Sequence, residues 1–255
     1  KANREARAAG KARQVRSSAL GKLLIMLAVV AAIVFGVAIF FKVNTIEVQG
    51  NSVYSADQII EASQIQQGDN LLTVNKALAV GNIKAALPYV EDVSIARSLP
   101  DGIIIQVRES VISFAVMTDT NACWFIGPGG KALERIEPAA FNENPHINGL
   151  LISSPTAGDS VSSPTPTALA AALDVMKELD GTGLLEHIRV IDVEKEYDMT
   201  LWYDDRYEIK LGGTDEMAYK IRYLCSILDQ LSEFQAGTID LTQATQKRAT
   251  FQPAA

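Results

Sequence analysis

Cysteine and histidine are scarce: the 255-residue chain has two of each. Two cysteines exclude a disulfide-stapled scaffold and a four-cysteine zinc site. Catalytic signatures are missing as well. The chain has no Gly-x-Ser-x-Gly elbow, no G-x-x-x-x-G-K-[ST] phosphate loop and no H-E-x-x-H. His146, in a Pro-rich loop, and His187, near a strand start, lack the clustered partners of a catalytic or metal site. Basic side chains are outnumbered 23 to 30, giving a net charge of −7, which argues against a general nucleic-acid binder. At 48% apolar, the chain is too hydrophobic for disorder and too polar for many membrane spans.

The charge deficit is unevenly distributed. Residues 1–22 carry seven basic side chains against Glu5 alone, for +6, whereas residues 43–255 carry 15 basic and 29 acidic, for −14. Between them Leu23 to Phe41 runs 19 residues without a polar side chain. A helix from Leu20 to Phe41 would be roughly 33 Å long at ~1.5 Å per residue, close to the ~30 Å hydrocarbon layer. A cleavable signal has an apolar region of ~7–15 residues followed by a small-x-small site, and here bulky Phe40-Phe41-Lys42 follows instead. The pattern predicts one transmembrane helix over 23–42. The positive-inside rule sets the basic tail 1–22 in the cytoplasm and 43–255 across the membrane.

Beyond the run, Val43 to Gly50 alternates as a strand. Ser55 and Gln58 fit a capping box before a short helix. A second helix carries Leu78, Val80, Ile83 and Leu87 and stops before Pro88. Strands follow around Val93 and Ile105, separated by Leu99-Pro100-Asp101-Gly102, so the order is β-α-α-β-β. Further strands are expected at Val111–Met117, Ala122–Ile126 and Lys131–Ile136, with Gly127-Pro128-Gly129-Gly130 as a hairpin turn in preference to a phosphate cradle. Thr165 and Pro166 open a helix with the stripe Leu169, Leu173, Met176 and Leu179. Met199, Leu201 and Tyr203 pair with Tyr207, Ile209 and Leu211 across an Asp204-Asp205 turn. Thr214 caps a helix bearing Met217, Ile221, Leu224, Leu228 and Leu231, and Gly237 to Leu241 reads as the closing strand. The acidic stretch from Asp192 to Glu208 reads as the solvated face of that hairpin; it lacks the glycine-containing spacing of an EF-hand. Cys123 in a strand and Cys225 beside a helix stripe fit two separate core thiols, although an oxidising exterior would also allow them to pair.

Ile46-Glu47-Val48-Gln49-Gly50-Asn51, Gly68-Asp69-Asn70-Leu71-Leu72, Leu87-Pro88-Tyr89-Val90, Arg97-Ser98-Leu99-Pro100-Asp101 and Val107-Arg108-Glu109 occur in this order after a basic tail and one apolar run. This succession resembles the POTRA domain of the FtsQ/DivIB family of bacterial division proteins. Leu184 to Asp192 and Gly237-Thr238-Ile239-Asp240-Leu241 resemble that family's β domain. The resemblance implies an α+β chain with a single transmembrane helix, a POTRA domain over 43–109, and a mixed α/β domain over 110–253 with a C-terminal edge strand. It implies a non-enzymatic divisome scaffold at the septal membrane, with no catalytic residue, metal, cofactor, small-molecule substrate or nucleic acid. Its partners would be FtsB/DivIC and FtsL proteins, joined by strand addition and linked to control of septal peptidoglycan synthesis. The docking residues carried over are Thr238, Ile239, Asp240 and Leu241, with Arg248 and Phe251 as outlying anchors. The rival reading, a POTRA chaperone or transport module, is disfavoured because 110–255 lacks a run of ~10-residue lipid-facing strands.

Overall fold

The computed structural model of the chain describes residues 22–254 apart from 34, 37, 38, 233 and 247. The predicted basic tail lies outside the described residues except for Lys22, and the predicted span runs through 34, 37 and 38, which also lie outside them. Residues 22–33, 35, 36, 39 and 40 are helical. Among the described residues no helix is long and apolar enough to cross a membrane.

The first unit has the expected order: β1 (Thr45–Gln49), α1 (Ala56–Ser63), α2 (Lys76–Ala86), β2 (Val90–Ser98) and β3 (Gly102–Glu109). The sheet runs β1-β3-β2, with β1 parallel and β2 antiparallel to β3. Both helix starts are locally encoded. Ser55 Oγ accepts from the Gln58 N–H at 3.2 Å, and Gln58 Oε1 accepts from the Ser55 N–H at 2.9 Å, so the capping box closes. Asn75 Oδ1 accepts from the Leu78 N–H at 3.1 Å and caps α2. Ile59, Leu71 and Ile83 pack beneath Val90, Ile103 and Ile105 in one core. Glu109, at the end of β3, is a buried carboxylate that accepts from the N–H groups of Ser52 (2.6 Å), Val53 (2.5 Å) and Tyr54 (3.3 Å) and from Ser52 Oγ (3.0 Å). It clamps the link between β1 and α1 to the far end of the sheet.

The second unit is a nine-stranded mixed sheet. Its strands are β4 (Phe114–Thr118), β5 (Cys123–Ile126), β6 (Ala132–Ile136), β7 (His146–Ile152), β8 (Ile188–Asp192), β9 (Met199–Tyr203), β10 (Tyr207–Gly212), β11 (Gly237–Asp240) and β12 (Thr250–Pro253). They lie in the order β12-β11-β10-β9-β8-β7-β4-β5-β6. Parallel neighbours need long crossovers. Helix α3 (Pro166–Leu179) supplies the one between β7 and β8, and α4 (Met217–Leu228) the one between β10 and β11. Both bury one face against the sheet in a single core.

Several expectations give way here. His146 is not in a loop: it opens β7, is 8% exposed, and its Nδ1 lies 2.9 Å from the Asn144 carbonyl oxygen. The strand runs on through Gly149, which takes φ +77° where a Cβ would fall 2.3 Å from the Glu194 backbone. Thr165 makes no side-chain cap bond to α3. The buried face of α3 is Ala168, Ala171, Ala172, Val175, Met176 and Leu179, with Leu169 and Leu173 only partly covered. Alanines let the helix approach the sheet closely, so the larger leucines sit at its flank. Thr214 does not cap α4. The helix starts after Glu216, whose φ of +48° breaks the first turn expected at Asp215. Lys220, 1% exposed, fills the resulting notch and donates to the Gly213 carbonyl at 2.8 Å and to Asp215 Oδ1 at 3.3 Å. Finally, Gly237–Asp240 is not the last strand, because β12 pairs outside it.

The two units meet at a compact joint. The Ser110 N–H donates to the Tyr89 carbonyl at 2.8 Å, the Tyr89 hydroxyl to Glu134 Oε1 at 2.6 Å, and Lys131 Nζ to the Val90 carbonyl at 3.1 Å. Burial first, then the bond to Glu134, pushes the Tyr89 phenol far above its ordinary range, so it stays a donor at any physiological pH.

Candidate functional site

The residues expected to dock a partner lie at the end of the nine-stranded sheet formed by β9, β10, β11 and β12. Ile239 and Leu241 are fully buried beside Ile209 and Leu211, as alternation requires. Thr238 and Asp240 lie on the opposite, outer face. Thr238 Oγ1 donates to Glu208 Oε2 on the neighbouring strand at 3.1 Å. Asp240 Oδ1 accepts from the Thr242 N–H (2.9 Å) and Oγ1 (2.7 Å), which turns the chain out of β11.

The backbone of β11 is engaged on both sides. The Gly237 N–H donates to the Arg206 carbonyl at 3.0 Å and the Leu241 N–H to the Lys210 carbonyl at 2.8 Å, so odd-numbered residues bond to β10. On the other side the Ala254 N–H donates to the Ala236 carbonyl at 2.8 Å. Alternation along an antiparallel pair then makes Thr238/Gln252 and Asp240/Thr250 the bonded pairs, with Ile239/Phe251 between them. The N–H and C=O of Phe251 and the C=O of Pro253 therefore point away from the sheet. Pro253 lacks a donor at a position where none would reach β11, as suits an edge strand.

The six residues expected at the site thus divide. Thr238, Ile239, Asp240 and Leu241 come together on β11 and just after it, one strand inside the edge. Arg248 is exposed in the connection between β11 and β12. Phe251 lies on the edge strand, but its ring faces the core side, opposite Ile239 and edge-to-face with Tyr207 at 6.2 Å. It fastens β12 to the sheet, and its backbone, not its ring, is what faces outward at the edge. The outer face holds residues that sequence reasoning missed. Trp202, Glu208, Thr238 and Gln252 form one cross-strand row. With Arg206 and Pro253 they line a shallow groove of about 310 Å³. Trp202 is 41% exposed, and its place between inward-facing Leu201 and Tyr203 was the available signal.

Other features of the expected chemistry lie elsewhere. Among the described residues, no three His, Cys, Asp or Glu side chains gather closely enough to hold a metal. Cys123 and Cys225 are both free thiols. Burial pushes both above the ordinary thiol range, with Asp229 adding to the effect at Cys225. A raised pKa leaves less thiolate at neutral pH. Alkylation of the folded protein at pH 7 should therefore be slow at Cys225 and slower still at fully buried Cys123, and unfolding should release both. Rapid labelling of Cys123 in the native state would contradict this packing.

Two helices on a three-stranded β1-β3-β2 sheet, followed by a mixed sheet with a free C-terminal edge, define a POTRA protein with an appended β domain. Residues 41–110 match the family model described as POTRA domain, FtsQ-type. Residues 116–242 match that of cell division protein FtsQ/DivIB, C-terminal. The chain belongs to the FtsQ/DivIB family of bacterial cell division proteins. It is 24% identical over 205 residues to cell division protein DivIB of Clostridium botulinum strain Hall, covering 80% of this chain and 79% of the relative. It is 25% identical over 218 residues to cell division protein FtsQ of Corynebacterium glutamicum, covering 85% and 91%. Against FtsQ of Streptomyces coelicolor the match is 26% over 107 residues, covering 39% and 40%. Strand β12 lies beyond the residues matched by the C-terminal model.

Proposed function

We propose that this chain is a single-pass, non-enzymatic scaffold of the division septum that binds FtsB/DivIC and FtsL family proteins by strand addition at β12. Residues 1–22 stay in the cytoplasm and 23–42 span the membrane. Residues 43–109 and 110–253 lie outside the membrane as the POTRA and β domains. Three features support this reading: the family, the charge partition of the sequence and the exposed apolar helix. Leu24, Ile25 and Phe35 are 61, 67 and 72% exposed, an arrangement suited to lipid and costly in water. By joining its partners to the septal membrane, the chain contributes to control of septal peptidoglycan synthesis.

The observation that carries the docking mode is the outward-facing backbone of Phe251. An incoming strand bonds there, and its alternate side chains lie on the outer face beside Gln252, at the rim of the groove. Calorimetric titration of the full chain in detergent with a purified FtsB/DivIC protein should give saturable binding of fixed stoichiometry. Heat no larger than dilution across the titration would overturn the assignment.

A further inference from the structure

We infer that loops 68–73 and 99–101 of the POTRA domain seat on the bilayer surface, with Leu72 and Leu99 inserted at the headgroup level. This rests on the single-pass reading and adds a second membrane contact to it. The chain leaving the apolar run is held between these two loops. The Leu71 N–H donates to the Phe41 carbonyl at 2.8 Å, the Val43 N–H to the Asp69 carbonyl at 2.8 Å, and the Gly68 N–H to the Val43 carbonyl at 2.8 Å. Lys42 bridges to Asn70. On the other side the Asp101 carbonyl accepts from the N–H of Asn44 at 2.8 Å and of Thr45 at 3.3 Å. Arg97 holds the first loop to β2: its Nε donates to the Leu71 carbonyl at 2.6 Å and its Nη2 to the Leu72 carbonyl at 3.1 Å. Neither loop is free to swing away from residue 41.

Where the apolar run ends is where the hydrocarbon ends. Paired chains lie about 5 Å apart and successive Cα atoms 3.8 Å apart, so Leu72 is within about 9 Å of Phe41. The polar layer on each side of the hydrocarbon is only about 5–8 Å thick. The adjacent leucines have opposite fates: Leu71 is fully buried in the POTRA core, while Leu72 is 44% exposed. Leu99, at the tip of the other loop, is 65% exposed. Exposed Lys42, whose backbone bridges to Asn70 on the first loop, favours anionic headgroups. The nearby acids are engaged: Asp69 Oδ2 accepts from the Gln66 N–H at 2.9 Å and Asp101 Oδ2 from Asn44 Nδ2 at 3.1 Å. Two apolar tips with a cation beside them fit a lipid surface. Their seating would fix the tilt of the POTRA domain, and through the joint at Tyr89 and Lys131 would aim the β12 edge.

Tryptophan quenching by brominated lipid tests this on the full chain in nanodiscs of phosphatidylglycerol and phosphatidylcholine. Leu72→Trp, Leu99→Trp and Phe35→Trp are compared with Tyr197→Trp on the distal domain, after subtracting the unsubstituted chain with its Trp124 and Trp202. Acyl chains brominated near the glycerol should remove roughly half of the new emission at Leu72→Trp and Leu99→Trp, as expected for side chains about 5–10 Å into the interface. Tyr197→Trp should be unaffected, and deeply brominated chains should quench Phe35→Trp. If Phe35→Trp is quenched while both leucine positions are not, the seating is wrong and the span stands. If Phe35→Trp is not quenched either, the span fails and the seating fails with it.

Discussion

Gly237→Ala is expected to release β12 from the sheet and abolish capture of an FtsB/DivIC partner. Gly237 begins β11 at φ +153°, where a Cβ would lie 2.1 Å from the Gln252 carbonyl oxygen and 2.9 Å from the Pro253 Cα. Both are backbone atoms of the opposing strand, so no side-chain rotation relieves the clash. The chain has two responses: β11 bends away from its bonds to β10, or β12 peels off. The second is cheaper. β12 is four residues long and holds on through one partly buried aromatic, Phe251. The global loss should therefore stay near 2 kcal/mol, in the range for overpacked sites. Amide exchange at Thr250 and Gln252 should rise to that of an open loop, while β9 and β10 stay protected. Titration should show no partner binding. Retained protection at Gln252 would contradict the assigned register.

The largest loss of stability is expected from Glu109→Ala. This carboxylate accepts from three successive backbone N–H groups and one hydroxyl, all at the link between β1 and α1. Removing it strands those donors in a partly buried pocket. Each unsatisfied buried group costs about 1–3 kcal/mol, with some relief from water entering at the exposed side, so we expect about 3 kcal/mol from the POTRA unit. Glu109→Gln should recover part of that, because its amide oxygen still accepts while its NH2 faces donors. Urea unfolding followed by POTRA-specific exchange measures both. A loss below about 0.5 kcal/mol, typical of surface substitutions, would mean the clamp contributes nothing.

Much of the architecture was legible in the sequence because local and global signals agree there. Ser55 and Gln58 closed the capping box they spell. Met199, Leu201, Tyr207 and Ile209 alternate as a hairpin and face one core. Failures came where tertiary packing decides. His146 follows Pro145 and reads as loop, but pairing with Ala115 of β4 and Val190 of β8 makes it the first residue of β7. The alanines of α3, apolar yet small, were outweighed by Leu169 and Leu173, although close approach to the sheet favours small side chains. β12 escaped notice because Thr-Phe-Gln-Pro is short and holds one large apolar residue. The candidate site was half visible for the same reason. Thr238 to Leu241 show clear alternation, while the strand covering them does not, and Trp202 is recognisable only once the hairpin's outer face has an edge beside it.

Phe251 offers the sharpest test of strand addition at β12. Its N–H faces outward, so Phe251→Pro removes a donor that no bond within the fold uses, on an edge strand where proline is tolerated. Phe251→Ala removes the same ring but keeps the N–H. Both lose the contact with Tyr207, at a cost of about 1–2 kcal/mol for a partly buried aromatic. The measurement is the affinity of the two full-length variants for one purified FtsB/DivIC protein. We expect Phe251→Pro to bind at least about tenfold more weakly than Phe251→Ala, the worth of one hydrogen bond of about 1.4 kcal/mol. Equal affinities would place the partner elsewhere than on the β12 edge.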